Sequence, residues 1–264
     1  MSRRKIWEVD IDIIGPISIK ESISFKQEKG YDADQFYSDI SLHNESFGIG
    51  TTLTAYADTI DIAKTVAFVY LGRMIDVLVL DNDIPLILQE HGNHFIPHTP
   101  VTARRQFDKK ELELAFKVAR KLEMEQRVLL KAIGWYSKGK TSNNALDSFL
   151  SYWNVIEIVG KEYHTENEKT KLGVKNKIFQ CFLEYFGPQE EWGLSDDWIN
   201  EMHEKRSSIA HGGEEATSAA IHEVSTLIPL LAQTAKRVVI AIIEKKYPEG
   251  IWNIVDRERW MDFF

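Results

Sequence analysis

Cysteine is nearly absent. The 264 residues include a single one, Cys181. That excludes an intramolecular disulfide and any zinc centre built on several thiolates. Its helical neighbours are apolar, so it reads as a small buried thiol. Positive charge is not in surplus either. Lys and Arg number 32 against 40 Asp and Glu, giving a net charge of -8 and a pI near 5.6. Such a balance argues against coating nucleic acid by bulk charge and leaves room only for a local basic patch. No apolar run reaches the ~18 residues that a membrane-spanning helix needs, so none is expected. Residues 1–5 are basic, but Glu8, Asp10 and Asp12 interrupt the apolar core a secretion signal requires. A cytoplasmic location is the expectation. Fixed-period repeats and low-complexity linkers are also missing. What is present is ordinary globular composition, 44% hydrophobic and 27% charged. That is enough for a sizeable core in one large domain or two small ones.

Two periodicities divide the chain. In residues 6–13, Trp7, Val9, Ile11 and Ile13 face one way and Glu8, Asp10 and Asp12 the other, the period of a half-buried strand. Gly15-Pro16 breaks the pattern, and Ile17, Ile19, Ile23 and Phe25 resume it, predicting a hairpin. A polar turn containing Gly30 follows. Weaker strand signals lie at residues 36–42, 51–57 and 84–88. Between them, Ile62, Val66, Tyr70 and Met74 recur four apart, predicting an amphipathic helix over 59–77. Residues 1–104 therefore read as a small α+β domain.

From Asp108 onward the pattern is helical. Five helices are predicted. Leu112 to Tyr136 mark one long helix, Leu146 to Val159 a second, and Leu172 to Phe186 a third that stops at Gly187-Pro188. The fourth, with Ser195 as N-cap, carries Trp198, Met202 and Ile209 and stops at Gly212-Gly213. Ile221 to Ile242 mark the fifth. The expected fold class is α+β: an N-terminal α+β domain (1–104), then an up-and-down helical bundle (105–264), with the boundary at residues 97–105. Trp135, Trp153 and Trp198 fall at helical spacing among apolar residues and read as core.

The most specific local feature ends the fourth predicted helix: Glu204-Lys205-Arg206-Ser207-Ser208-Ile209-Ala210-His211-Gly212-Gly213. An Arg, four residues, then His and Gly, near the end of the penultimate predicted helix, resembles the HEPN superfamily, and within it the ApeA-like and MauJ-like bacterial branch. The second helix, Leu150-Ser151-Tyr152-Trp153-Asn154-Val155-Ile156-Glu157, and the α+β part with its Leu-Thr-Ala-Tyr-Ala-Asp strand support the likeness. The resemblance covers roughly the last 150 residues, a normal size for one domain. It implies a metal-independent endoribonuclease acting on single-stranded RNA, usually completed by a second protomer. It also implies a toxin-like or antiphage role, with the N-terminal domain regulating or recruiting and a regulatory protein partner. No cofactor or metal is implied. In many active members the residue after the Arg is Asn, Asp or His; here it is Ser207. The alternative is an inactive HEPN dimerisation module that binds a protein or nucleotide.

The chemistry suits those residue types. A guanidinium is permanently charged and grips phosphate oxygens as a fork, so Arg206 would stabilise transition-state charge. An imidazole titrates near neutrality, so His211 would take the 2'-hydroxyl proton or protonate the leaving 5'-oxygen. The product would carry a 2',3'-cyclic phosphate. On an ideal helix the two residues stand about 140° apart, which calls for an unwound helix end or a second protomer. Arg206 falls near Met202 at the edge of the apolar face and needs a partner, either Glu157 or a phosphate. The structural alternative pairs Arg206 with Glu157 and uses His211 as a helix cap, where a cation suits the dipole.

Three weaker signals complete the reading. Lys161, Lys169, Lys171, Lys175 and Lys177, with Tyr163 and His164, form a lysine-aromatic cluster. Lys169, Lys171, Lys175 and Lys177 are the candidate RNA contacts, though interleaved Glu162, Glu166 and Glu168 suit a solvated loop. His91, His94 and His98 are close in sequence, but Gly92 and Pro97 favour an irregular exposed loop over a metal site. Gly48-Ile49-Gly50 lacks the third glycine and the following helix of a dinucleotide loop and reads as a turn.

Overall fold

A computed structural model describes residues 5–26, 37–92, 103–211 and 217–257. The architecture is mixed α+β, an N-terminal antiparallel sheet followed by helices. Two compact units, Met1–Lys117 and Val118–Phe264, divide the chain. Most of the expected boundary lies in residues 93–102, outside the described residues.

In the first unit the strands are β1 (Lys5–Ile14), β2 (Ile17–Ile19), β3 (Ile23–Lys26), β4 (Tyr37–Glu45), β5 (Gly48–Ala57), β6 (Ile87–Glu90) and β7 (Arg105–Phe107). Five of them form an antiparallel sheet in the order β3-β4-β5-β1-β6. Helix α1 (Ile60–Asn82) is N-capped by Thr59, whose hydroxyl accepts the Ile62 N–H at 3.3 Å. It packs on β5 and β1 of the sheet and buries Ala63, Ala67, Leu71 and Met74; Val9, Ile11 and Ile13 of β1 are buried as well.

The expected hairpin at Gly15-Pro16 does not form. β1 pairs with β5 and β6, while β2 runs parallel to β7 in a separate two-stranded sheet. The hairpin turn is instead at Ser46-Phe47, between β4 and β5. Gly48 sits at φ 149°, and a Cβ there would run into the Ile13 carbonyl oxygen. Gly48-Ile49-Gly50, read as a turn, is instead the start of β5, paired with His43, Asn44 and Glu45 of β4; it does not lead into a helix as a dinucleotide loop would. Gly30 of the expected turn lies outside the described residues. Asp12 also departs from its pattern. It occupies a charged-face position of β1, yet it is buried.

The second unit begins within α2 (Lys109–Glu125) and continues through α3 (Arg127–Thr141), α4 (Ala145–Glu162), α5 (Val174–Phe186), α6 (Trp198–Ala210), α7 (Ser218–Lys246) and α8 (Ile251–Arg257). The single long helix expected over Leu112–Tyr136 is two helices, broken at Gln126 (φ -142°, ψ 55°). Neither Gly nor Pro marks the break. At the break the Tyr163 hydroxyl donates to Gln126 Oε1 at 2.9 Å. Asn144 caps α4 by accepting the Leu146 N–H at 2.8 Å. Ser195 is not the N-cap of α6. Asp197 holds that position without a side-chain bond, and the Ser195 hydroxyl lies 3.3 Å from Glu201 Oε2.

The core of this unit gathers Phe149, Trp153, Ile156, Phe182, Trp192 and Trp198 with the C-terminal half of α7. Trp135, read as core, is only half-buried, with Lys138 Nζ 4.8 Å from its ring centroid. Cys181 is buried as expected, and burial pushes its thiol up to about 12. Leu172, assigned to the third helix, lies in a 3-10 turn and is exposed. Pro229 sits inside α7. Among the described residues α7 is one helix long and apolar enough to cross a membrane by length and composition alone.

Candidate functional site

Helix α4 turns Trp153, Glu157 and Lys161 onto one side, because residues four apart share a helical face. Glu157 is buried, so its carboxylate needs partners. It has three. Trp153 Nε1 donates to Oε1 at 2.9 Å, Lys161 Nζ donates to Oε2 at 3.2 Å, and Arg206 Nε on α6 faces Oε1 at 3.6 Å. Of the two partners expected for Arg206, Glu157 and a phosphate, Glu157 is the one in place, which together with the His211 cap is the structural alternative of the sequence reading.

The contact is an ion pair and not a hydrogen bond. At 3.6 Å it exceeds donor range, and Arg206 Nε is buried without a hydrogen-bond partner. The Arg206 side chain keeps 30% of its surface exposed. The side chain is thus held at Nε by one charge and is otherwise partly exposed, an arrangement able to receive an anion.

Sequence reasoning passed over His203, one turn before Arg206 on the same helix. Its ring meets the Trp153 indole edge-on, with centroids 6.2 Å apart and planes at 71°. Burial lowers its pKa below the ordinary histidine value, and the charge of Lys175 on α5 adds to this; Glu157 opposes the shift, Arg206 reinforces it, and Glu204 opposes it. An imidazole kept neutral is free to take a proton, although the cations beside it weaken it as a base. The available signal was the helical spacing of His203, Arg206 and Ser207.

His211 closes α6 as its C-cap and is exposed, and its N–H donates to the Ser207 carbonyl at 3.1 Å. The chain leaves helical geometry at this residue (φ -100°, ψ 7°). Gly212 and Gly213 lie outside the described residues. Ser207 is half-buried between Arg206 and His211.

The candidate RNA contacts separate into two groups. Lys169 and Lys171 stand exposed at the 3-10 turn, Lys171 Nζ lying 2.7 Å from Glu168 Oε1. Lys175 and Lys177 are half-buried in the first turns of α5. Of the four, Lys175 is the one whose charge acts on the His203 ring.

In the first unit, His91 Nδ1 lies 3.1 Å from the Oδ1 of buried Asp12. That hydrogen bond, followed by the Asp12 charge, raises the His91 pKa. His94 and His98 lie outside the described residues. Among the described residues no group of three His, Cys, Asp or Glu side chains is arranged to hold a metal ion.

No family model, no curated protein and no solved structure matches this chain.

Proposed function

We propose that the chain is a metal-independent endoribonuclease of the HEPN type, cleaving single-stranded RNA at Arg206 and His211. Its 105–264 region is then an HEPN-like up-and-down bundle that works as a homodimer in the cytoplasm. The role is that of a toxin or antiphage effector, restrained by its N-terminal domain or by a regulatory protein. The supporting observation is the part of the Arg206 side chain that stays open to solvent, on a helix that ends at His211. Arg206 stabilises the charge of the pentavalent phosphate, and an imidazole moves the proton. Lys175 and Lys177 add positive potential along the neighbouring helix, with Lys169 and Lys171 extending it.

The test is cleavage of single-stranded RNA and of tRNA by the purified full chain in EDTA, beside Arg206→Ala and His211→Ala. Cleavage that leaves 2',3'-cyclic phosphate and is lost in both variants supports the reading. Equal cleavage by all three proteins removes Arg206 and His211 from the chemistry.

One observation favours a second reading. The Arg206–Glu157 pair commits part of the guanidinium's charge to the protein interior, as in an inactive HEPN module that dimerises and binds a protein or nucleotide. A folded wild-type dimer that leaves RNA intact would favour that module.

A further inference from the structure

Three side chains follow one another along α6. From His203 to Arg206 the helix rises about 4.5 Å, and from Arg206 to His211 about 7.5 Å. Around the axis, taking Arg206 as zero, His203 stands at about 60° and His211 at about 140°. The arc between the expected pair is therefore not empty. His203 lies inside it, nearer to Arg206 than His211 is.

The position of His203 is also built. Its ring meets Trp153 edge-on, Trp153 is fully buried, and the indole N–H is bound to the same carboxylate oxygen that faces Arg206. One buried unit, Trp153 with Glu157, thus sets both the imidazole and the guanidinium. His211, by contrast, is an exposed cap.

Resting on the ribonuclease reading, we propose that His203 is the proton acceptor at the Arg206 site and that His211 is the proton donor. In the forward step the 2'-hydroxyl proton passes to the neutral His203 ring. The 2'-oxygen forms a bond to phosphorus, and the bond from phosphorus to the 5'-oxygen breaks. The leaving oxygen takes a proton from protonated His211. Products are a 2',3'-cyclic phosphate and a 5'-hydroxyl, and no oxidant, metal or water is consumed. Arg206, between the two histidines along the helix, faces the non-bridging oxygens.

The groups around His203 fit a base that stays neutral. Lys175 from α5 and Arg206 from α6 oppose a second positive charge, burial opposes it more strongly, and Glu157 from α4 and Glu204 from α6 only partly offset them. The acid limb of the pH–rate profile should then fall below the ordinary histidine value of about 6.5.

The experiment uses the full chain, a labelled single-stranded RNA, and the same sequence with 2'-deoxyribose, which binds but cannot be cleaved by this route. His203→Gln should lower kcat about 100-fold or more, the share general-base catalysis commonly supplies. Affinity for the deoxy strand should stay within about twofold, because His203 is assigned to proton transfer and Arg206 and the lysines to the phosphates. The residual rate should lose the acid limb.

Wild-type-like kcat and an unchanged limb in His203→Gln, with Arg206→Ala and His211→Ala inactive, would overturn the His203 assignment and leave the ribonuclease reading standing. Inactive wild type would overturn both together. If His203→Gln does not fold, the wild-type profile decides: a limb at or above about 6.5 overturns the assignment.

Discussion

Trp153 and Arg206 aim nitrogens from two helices at one oxygen. Glu157 Oε1 lies 2.9 Å from the indole Nε1 and 3.6 Å from the guanidinium Nε. Replacing Glu157 by Ala leaves a buried indole N–H without its acceptor and Arg206 without its counter-charge. A loss of about 1–3 kcal/mol is expected for the stranded donor alone. Glu157→Gln keeps an acceptor for Trp153 and removes only the charge, so its loss should be smaller. Denaturant midpoints of the two variants at equal slope measure the difference. Equal losses would mean that the charge, and not the indole bond, carries the contribution of Glu157.

The pair of Asp12 and His91 sets a pH dependence of opposite sense to ordinary acid denaturation. Asp12 raises the His91 pKa above the unfolded value of about 6.5. The native state therefore binds the proton more tightly than the unfolded chain does. The stabilisation is fully present below about 6.5 and is lost as pH rises through the raised value. Unfolding of the sheet unit followed through Trp7, whose indole donates to the Ala57 carbonyl, should show stability declining across that window. Asp12→Asn should flatten the decline; a decline of the same size in that variant would assign it to another group.

Gly160 lets α4 and α5 approach closely. A Cβ there would lie 2.7 Å from Ile178 Cγ1 and 3.0 Å from its Cα. Because the obstacle includes backbone, Gly160→Ala should destabilise by about 1–3 kcal/mol despite the better helix propensity of Ala. Adding Ile178→Val should recover little, since the Ile178 backbone still stands in the way. A stabilised Gly160→Ala variant, seen as a raised thermal midpoint, would show that the helices separate freely.

The Cys181 thiol is buried and pushed up to about 12, so at neutral pH almost none of it is the reactive thiolate. Modification by a small alkylating reagent should be negligible in the folded protein and complete in denaturant. Fast labelling under native conditions would mean that α5 opens locally. Since Cys181 is the chain's one cysteine, mass spectrometry reads this directly.

Much of the fold is written in short-range pattern. Thr59 before an apolar four-residue repeat marks the start of α1, and Gly187-Pro188 marks the end of α5, because caps and breakers act within a turn of themselves. The pairing of β1 was not legible. Its partners β5 and β6 are remote in sequence, and alternation identifies a strand without naming its neighbour. Gln126 and Asp12 fail for the same reason: Gln126 at the helix break bonds Tyr163 and the buried Asp12 pairs with His91, partners remote in sequence that local spacing does not reveal. At the candidate site, the Arg206–Glu157 contact followed from the edge position of Arg206 beside Met202. His203 did not, because its spacing to Arg206 places it one turn away without revealing the buried Trp153 it packs against.

Pro229 divides α7 energetically. It has no N–H to return to the carbonyl one turn earlier, so the intrahelical ladder has a missing rung there. Before it, Val224 is the residue of α7 that is buried; after it, Leu231, Thr234, Ala235, Val238, Val239, Ile242 and Ile243 are. One helix should thus show unequal local stability on the two sides of Pro229. Its N-terminal amides can trade hydrogen for deuterium by local fraying while those past the proline wait for the whole core to open.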